Sequence, residues 1–475
     1  MNKRKSKATW KSMSMFLVPL LLSNVLQSVG QLFGMVVVGR WLGSNVLQSV
    51  GQLFGMVVVG RWLGVNDLAA ISAFFPLFFL LVSFVIGIGS GSSILIGQAF
   101  GAHNEDRLKA IVGTTLTFTF IIGVVLAIVG SVFALDIMRL MGTPENIIDM
   151  SVHYARILFI SMPVLFLYFS YTTFIRGTGD SKTPFYFLIV STVLNMMLLP
   201  ILIFGWLGVP KFGVYGAAYA SVISTVITFI VMFVYLKKKN HPLQLDGTVR
   251  KYLRMDWGLL KLLLRLGIPA SINMIFVSLS EIAVIAFVNR FGSDATAAYV
   301  VVNQVASYVQ MPAVSLGITV SIFAAQSIGA NQFDRLQEVV RAGIVMNYVI
   351  GGVLISFIYL FSRDILSLFL TSSTTIEIAH SLVMITFWSY LIFGHAQIIG
   401  ATMRASGTVL WPTVIGVVSI WLVEVPVAYY LSYHTSLGIE GIWIGYPAAF
   451  IVSLLLQYGY YKLSWQKKRI SRFVS

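Results

Sequence analysis

Of the 475 residues in the chain, 57% are hydrophobic and only 10% are charged, whereas soluble domains average about 45–50% and about 25%. A soluble protein could not cover its surface with so few charges, so this composition indicates a protein that has lipid as its solvent. The absence of cysteine excludes disulfides and thiolate metal sites. The net charge of +15 comes from basic residues in short segments between apolar runs, which argues against nucleic-acid binding.

Twelve apolar stretches follow one another along the chain, each near the roughly 20 residues that a helix needs to cross a bilayer. One stretch precedes residue 65, and the other eleven lie at 71–98, 110–135, 151–175, 184–205, 213–236, 266–289, 298–327, 342–362, 376–402, 412–432 and 438–461. We therefore predict an all-α integral membrane protein with twelve transmembrane helices.

Lysine and arginine residues concentrate on one side of these predicted helices. Of the 32 basic residues, 25 lie in the two tails, the central segment or the short segments on the same side. Because basic loops stay in the cytoplasm, we expect both termini and the central segment to be cytoplasmic in a protein of the cell membrane. The resulting division is a basic tail 1–14, an N-lobe 15–236, a linker 237–264, a C-lobe 265–463 and a basic tail 464–475.

The second half of the sequence repeats motifs of the first half at a constant distance along the chain, which we call the repeat offset. The clearest pairs are Gln98 and Gln326, Gly101 and Gly329, Arg107 and Arg335, Arg176 and Arg404, Gly179 and Gly407, and Pro184 and Pro412. Each half has six predicted spans, so both halves enter the membrane in the same sense. We therefore expect two lobes related by a pseudo-two-fold axis along the membrane normal.

A different repeat lies near the start of the chain, where the segment Ser23–Gly43 recurs without a change as Ser44–Gly64. With one copy removed, the separation between Pro19 and the closing glycine would nearly equal the separation between Pro269 and Gly292 in the second half. One copy therefore suffices for the first helix, and we expect no functional role for the other.

At the paired motifs the sequence resembles the multidrug and toxic compound extrusion (MATE) family. The resemblance rests on Gln-Ala-Phe-Gly-Ala at 98–102, on Arg-Gly-Thr-Gly-Asp-Ser-Lys-Thr-Pro at 176–184 and on their counterparts in the second half, and it covers Met15 to Leu463. It implies twelve helices in two six-helix lobes, a central cavity that opens alternately to each side, and export of organic cations driven by H⁺ or Na⁺. The motif residues themselves suit turns, helix starts and headgroup anchoring, so we interpret them as structural.

Only two of the 17 acidic residues fall deep inside predicted helices, Glu281 and Glu424. A charge there costs about 2.5–3.5 kcal/mol on insertion scales, so such a residue usually has a function or a partner. A carboxyl group in apolar surroundings exchanges its proton nearer neutral pH, and when ionised it attracts a cationic substrate or Na⁺. We predict ion coupling and substrate binding at these two residues. The alternative is a carboxylate paired with Arg156 or hydrogen-bonded to neighbouring Ser and Asn side chains.

Comparison with branches of the resembled family adds detail at these acids. NorM-type members carry a glutamate at the position of Val277, and Glu281 lies one helical turn later on the same face. They also carry an aspartate in the tenth span, where Ile376–Met403 has no acid. DinF-type members carry an aspartate in the first span, where Gly34 and its duplicate Gly55 stand. The coupling ion, H⁺ or Na⁺, stays open.

Five further polar residues inside predicted helices are candidates for the cavity lining: Asn195, Asn303, Gln304, His395 and Gln397. Each could equally make hydrogen bonds between helices, and for His395 we favour that alternative. The sequence carries no cluster of metal ligands and no Walker A motif, so we expect neither a bound metal nor an organic cofactor.

The leading hypothesis is a cation-coupled exporter of lipophilic organic cations that acts as a monomer in the bilayer, without a nucleic-acid partner. The alternative is a flippase of a lipid-linked oligosaccharide or cell-wall precursor on a related fold. Its pyrophosphate substrates would require a cationic cavity, whereas the spans offer two acids and one candidate base, Arg156. An enzyme would need His, Asp or Glu side chains clustered near one interface, which the sequence does not show, so we expect no enzymatic activity.

Overall fold

The computed structural model describes residues 3–41, 65–244, 253 and 255–467, and this part of the chain consists of helices and connecting turns, without strands. Its α-helices are α1 (Lys3–Trp41), α2 (Val65–Gly101), α3 (Glu105–Val132), α4 (Ala134–Leu140), α5 (Glu145–Gly177), α6 (Lys182–Phe204), α7 (Tyr215–Lys238), α8 (Trp257–Val288), α9 (Ser293–Gly329), α10 (Phe333–Leu360), α11 (Ser362–Ser367), α12 (Ser373–Thr386), α13 (Ser389–Ala405), α14 (Leu410–Ser419), α15 (Val425–His434) and α16 (Ile439–Tyr460). Short π-helical segments follow α14 and α16, at Ile420–Glu424 and Tyr461–Trp465. The second copy of the exact duplication, Ser44–Gly64 with its Gly55, lies outside the described residues, as does 468–475 of the predicted basic tail.

Ten helical stretches of the described chain are long and apolar enough to cross a membrane. The pair α12 and α13, bent by 45°, makes an eleventh candidate. The eleven stretches predicted after residue 65 coincide with these elements, and α1 runs for 39 residues through the region of the remaining one. The prediction of an all-helical membrane protein is confirmed.

The repeat offset recurs in the helix boundaries. Helices α2 and α9 begin at Val65 and Ser293 and end at Gly101 and Gly329. Helices α3 and α10 match at both ends in the same way. Helix α5 begins at the position that corresponds to the start of α12 and ends at the position that corresponds to the end of α13, so it matches the bent pair as a whole. The sequence repeat is therefore also a repeat of backbone structure in these elements.

The turns between helices repeat as well. His103 after α2 and Asn331 after α9 both have a positive φ, of 54° and 60°. Gly179 after α5 and Gly407 after α13 have φ of 90° and 85°. Glycine adopts this conformation without a steric cost, which is the local reason for a glycine at these two motif positions.

Side-chain caps fix where several helices start. Asn104 accepts a hydrogen bond from the backbone N–H of Arg107 at 2.9 Å at the start of α3. Asp256 accepts one from Leu259 at 3.0 Å at the start of α8. Asp180 accepts from two backbone N–H groups at the start of α6. Each side chain satisfies donors that the first helical turn leaves unpaired.

The two sequence halves, the N-half (α1–α7) and the C-half (α8–α16), pack on each other through their first three long helices. Helix α1 contacts α9 and α10, α8 contacts α2 and α3, and α2 contacts α9. The largest buried cluster lies at this junction, where Phe16 of α1 meets Phe323 of α9 with ring centroids 5.6 Å apart. Helices α2, α5, α9 and α13 all end on the same side of the junction. We call that side, with segments 98–107, 176–184, 326–335 and 404–412, the basic end.

Candidate functional site

Glu281 lies within α8, on a side away from the main exposed stripe of this helix. That stripe runs through Leu279 and Ile282. Glu281 and Val277 are also exposed and lie one turn apart, but each is two residues from Leu279 and so points to the other side of the helix. One turn after Glu281, this side of α8 carries Val284, which is fully buried in a hydrophobic cluster of the C-half. Glu281 therefore lies on the face of α8 that is directed into the C-half.

Glu424 is the last residue of the π-helical segment Ile420–Glu424, and its side chain is only 5% exposed. Pro426 lacks the N–H that would bond to Leu422 in an α-helix, which accounts for the disturbed helical register here. On the other side, a Cβ added at Gly445 of α16 would lie 2.9 Å from the carbonyl oxygen of Glu424. The glycine thus allows α16 to pack directly on this segment.

Glu281 lies within electrostatic range of Glu424, and the two carboxyl groups share aromatic neighbours. Both carboxyl groups act on Tyr299 of α9 and on Tyr390 of α13. The hydroxyl group of Tyr446 in α16 lies 2.9 Å from that of Tyr299 and interacts with Glu424. We call these five residues the carboxylate cluster. The two acids that the sequence singles out are thus brought together from α8 and from the segment after α14.

Amide side chains and a ring stack hold the tyrosines of the cluster in place. The amide group of Asn303 lies beside the hydroxyl group of Tyr299, and that of Gln310 lies beside the hydroxyl group of Tyr390. The ring of Trp443 stacks on Tyr299 with centroids 5.9 Å apart and planes at 6°. Asn303 is among the residues that the sequence predicts, whereas Gln310 and the tyrosines are not. The sequence contains one indication of these tyrosines, because a tyrosine hydroxyl group in an apolar span requires a hydrogen-bond partner.

Neither carboxyl group forms a hydrogen bond or an ion pair with any residue that the structure describes. Arg156, which the alternative interpretation pairs with one of these carboxylates, instead donates from Nε to the carbonyl oxygen of Ser131 at 3.1 Å. An ionised carboxylate without a donor or a counter-charge is costly inside a membrane. Such a group holds a proton or accompanies a cation, which is the chemistry that ion coupling requires.

The N-half contains a cavity of about 300 Å³ between α2, α5, α6 and α7. Aromatic rings form one wall, and hydroxyl and amide groups form the other: Phe74, Phe75, Phe78 and Tyr154 face Ser191, Thr192, Asn195, Ser221, Ser224 and Thr225. Asn195, a predicted cavity residue, donates to the hydroxyl oxygen of Ser221 at 3.3 Å. The lining includes no charged side chain.

The cavity and the carboxylate cluster involve corresponding positions of the repeat. Ile71 and Phe75 of the cavity wall precede Tyr299 and Asn303 by the repeat offset. Because α2 and α9 share both boundaries in that register, these side chains occupy equivalent places in the two halves. At these two positions the N-half has apolar side chains of the cavity wall, whereas the C-half has the polar side chains of Tyr299 and Asn303.

The other predicted polar residues lie in α9 and α13. Gln304 donates from Nε2 to the hydroxyl oxygen of Tyr308, one turn along α9, at 3.1 Å. Nδ1 of His395 lies 3.0 Å from the hydroxyl group of Tyr348 in α10, an interhelical hydrogen bond of the kind expected for this histidine. Gln397 of α13 packs against α9.

The motif residues lie at the basic end, at the ends of helices. Arg107 and Arg335 are in the first turns of α3 and α10, Arg176 and Arg404 in the last turns of α5 and α13, and Pro184 and Pro412 in the first turns of α6 and α14. Proline in a first turn and a cation in a last turn follow the general preferences of helix ends.

A metal centre has no support in the described part of the chain. Within it, no group of three or more His, Asp or Glu side chains is arranged to hold a metal ion.

Comparison with known proteins identifies the family. The MatE family model matches residues 42–201 and 269–430. The chain is 69% identical over 472 residues to the probable multidrug resistance protein YoeA of Bacillus subtilis, covering 99% of this chain and 97% of that protein. It is 24% identical over 400 residues to the probable multidrug resistance protein NorM of Thermotoga maritima, covering 83% of this chain and 84% of that protein. A solved structure, "Crystal structure of MATE in complex with MaD3S", has the same fold, with a TM-score of 0.82 at 20% identity over 97% of both chains. The protein therefore belongs to the MatE family, the multidrug and toxic compound extrusion transporters whose motifs its sequence carries.

Proposed function

We propose that the protein is a secondary active multidrug efflux transporter that exports lipophilic organic cations in exchange for H⁺ or Na⁺. It works by alternating access, with twelve helices in two six-helix lobes related by a pseudo-two-fold axis along the membrane normal. The observation that carries the proposal is the convergence of Glu281 and Glu424 in one cluster without a counter-charge in the described chain. The name of the Bacillus subtilis relative, a probable multidrug resistance protein, supports drug export.

Competition for the carboxylate cluster supplies the exchange. Each of the two carboxyl groups can bind a proton or a cation, so the cluster changes its charge when it takes up or releases an ion. In the protonated or Na⁺-bound form it has little negative charge left to attract an organic cation. After the ion leaves, the negative charge favours the organic cation. Each binding event therefore lowers the affinity for the other ligand by the same factor.

The cavity of the N-half is suited to the apolar part of the exported compound. Ligand pockets are mostly apolar and aromatic with a few well-placed polar groups, and the rings of Phe74, Phe75 and Phe78 opposite Asn195 fit that description. Its volume of about 300 Å³ lies at the lower end of the range for small-molecule sites. In this proposal the cavity binds the apolar part of the compound, and the positive charge of the compound competes with the ion at the carboxylate cluster.

The orientation follows from the distribution of basic residues. We place the basic end, both termini and the segment between α7 and α8 in the cytoplasm, since basic loops stay on that side. The chain acts as a monomer, because a complete pair of repeats encloses the cluster and the cavity. Compounds would then enter from the basic end and leave at the opposite end.

Transport by purified protein in proteoliposomes tests this function. A fluorescent organic cation is loaded, and either a pH gradient or a Na⁺ gradient is imposed. We expect cation movement driven by one of the two gradients and abolished when an ionophore dissipates it. The double variant Glu281→Gln with Glu424→Gln should lose the gradient response. The variant Glu440→Gln, which alters an exposed carboxylate bonded to Ser381, should keep it. Equal transport with and without either gradient would contradict the proposal.

A further inference from the structure

Two hydrogen bonds join the halves at the basic end with the symmetry of the repeat. Gln98 of α2 donates from Nε2 to the carbonyl oxygen of Ala405, the last residue of α13, at 2.8 Å. Gln326 of α9 donates from Nε2 to the carbonyl oxygen of Gly177, the last residue of α5, at 3.2 Å. The two donors are separated by the repeat offset, and so are the two acceptors. Each half therefore presents one amide donor and one helix-terminal carbonyl acceptor to the other half.

Two glycines allow the backbones to approach at the same place, again as a repeat pair. A Cβ built on Gly101 would overlap with the carbonyl group of Gln326. A Cβ built on Gly329 would overlap with the carbonyl group of Gln98. One turn away, a Cβ on Gly97 would lie 3.0 Å from Cβ of Ala325. Thus α2 and α9 cross at a contact that only a hydrogen side chain permits.

The contact holds the two halves together at the basic end. Gln98 is fully buried and Gln326 is 7% exposed. The side chains that bridge the halves are therefore shielded from water, and the two halves are in close contact there.

We propose that Gln98, Gln326, Gly101 and Gly329 form a latch that keeps the basic end shut and must open for a compound to enter from that side. This inference rests on the proposed transport function and assigns a step of the cycle to the repeated motifs. When the halves move apart, the hydrogen bonds donated by the two glutamine side chains break together, because each side chain bridges from one half to the other. In the open state water satisfies the four freed groups, whereas in the closed state loss of an amide leaves a buried carbonyl without a donor.

Cysteine labelling measures the latch directly, since the chain has no native cysteine. Ala325 is completely buried against the other half, so the thiol of Ala325→Cys reacts with a maleimide only when the halves separate there. The labelling rate is measured for protein in lipid nanodiscs, where neither membrane orientation nor transport matters. In that background, Gln98→Ala and Gln326→Ala should each raise the rate roughly two- to tenfold, the effect of one hydrogen bond. Their combination should multiply the two effects.

The glycines provide a second, independent set of variants. Gly101→Ala and Gly329→Ala favour the helix locally but place a Cβ on the partner's carbonyl group, so they should also raise the labelling rate. The matched controls are Ser92→Ala and Ser327→Ala, which remove buried hydroxyl groups that bond within their own helices at 2.8 Å. These two should leave the rate unchanged.

The outcomes separate the latch from the transport function. Unchanged labelling in folded Gln98→Ala and Gln326→Ala protein would overturn the latch, even if the parent transports drugs. If either glutamine variant failed to fold, the glycine variants would decide the question in the same assay. Raised labelling in the glutamine variants, together with a parent that shows no gradient-driven transport, would support the latch and contradict the proposed function.

Discussion

The hydroxyl groups of Tyr299 and Tyr446 lie 2.9 Å apart beside the buried carboxyl group of Glu424. Since Tyr299 also interacts with Glu281, the tyrosine pair connects the surroundings of the two acids. The two acids therefore share one electrostatic environment. The cluster is best treated as one unit in experiments on coupling.

We expect Glu424→Gln to reduce gradient-driven efflux strongly while the protein stays folded. Glutamine keeps the size of the side chain but cannot change its charge, so the pair loses its shared titration. The double variant with Glu281→Gln should lose little more efflux than Glu424→Gln alone, because the effects of substitutions within one interacting unit are not additive. Drug efflux rates of the two single variants and the double variant check this, and strictly additive losses would contradict a shared unit.

The cavity of the N-half should determine affinity for the compound rather than ion coupling. Asn195→Leu removes the amide that bonds to Ser221 at nearly constant volume. For a ligand that hydrogen-bonds there, we expect a half-saturating concentration roughly two- to tenfold higher, with an unchanged response to the ion gradient. Gln304→Leu, which alters an amide bonded to Tyr308 in α9, is the control. If Asn195→Leu kept the half-saturating concentration of the parent for every substrate tested, the cavity would have no role in substrate binding.

Topology can be tested with a single cysteine at Asn240, after the end of α7. We predict that Asn240→Cys is labelled by an impermeant maleimide in inside-out vesicles but not in intact cells, since the neighbouring Lys237, Lys238 and Lys239 favour the cytoplasm. A cysteine in place of Ser436, between α15 and α16, should show the opposite pattern. Labelling of the Asn240 position in intact cells would reverse the assigned orientation.

The exact duplication should be dispensable. We predict that deletion of Ser44–Gly64 leaves expression and transport near the parent level, because the deletion gives Pro19 and the closing glycine nearly the separation of Pro269 and Gly292. The measurement is the yield of monodisperse protein and its transport rate. Loss of folded protein after the deletion, with the parent well folded, would show that both copies are needed.

Much of the fold follows from the sequence, because the internal repeat fixes paired helix ends such as Gly101 and Gly329. The two acids of the cluster could also be found, since a carboxyl group stands out in an apolar span. The tyrosines around them could not. In a span that is apolar on all sides, periodicity does not separate a tyrosine facing a cluster from one facing lipid. Likewise, Pro426 is the one feature of the sequence that indicates the π-helical segment that orients Glu424.

The same limit applies to the motifs. Their glycines and prolines indicate turns and helix starts, as the positive φ of Gly179 and Gly407 illustrates. The hydrogen bond between Gln98 and Ala405 joins residues far apart in the chain, and one sequence contains no information on which distant carbonyl group a glutamine meets. Only the packing of α2 on α9 reveals it.

The most direct test of the account is the pH dependence of organic-cation binding in the parent and in Glu281→Gln. Loss of a proton from the cluster restores its negative charge, so we predict that the affinity of the parent for a fluorescent organic cation rises as the pH is raised. In Glu281→Gln, which keeps only the carboxyl group of Glu424 in the cluster, the affinity should be lower and should rise less with pH. The variant Glu440→Gln should behave like the parent. An equal rise of affinity with pH in parent and Glu281→Gln protein would contradict the assignment of ion coupling to this cluster.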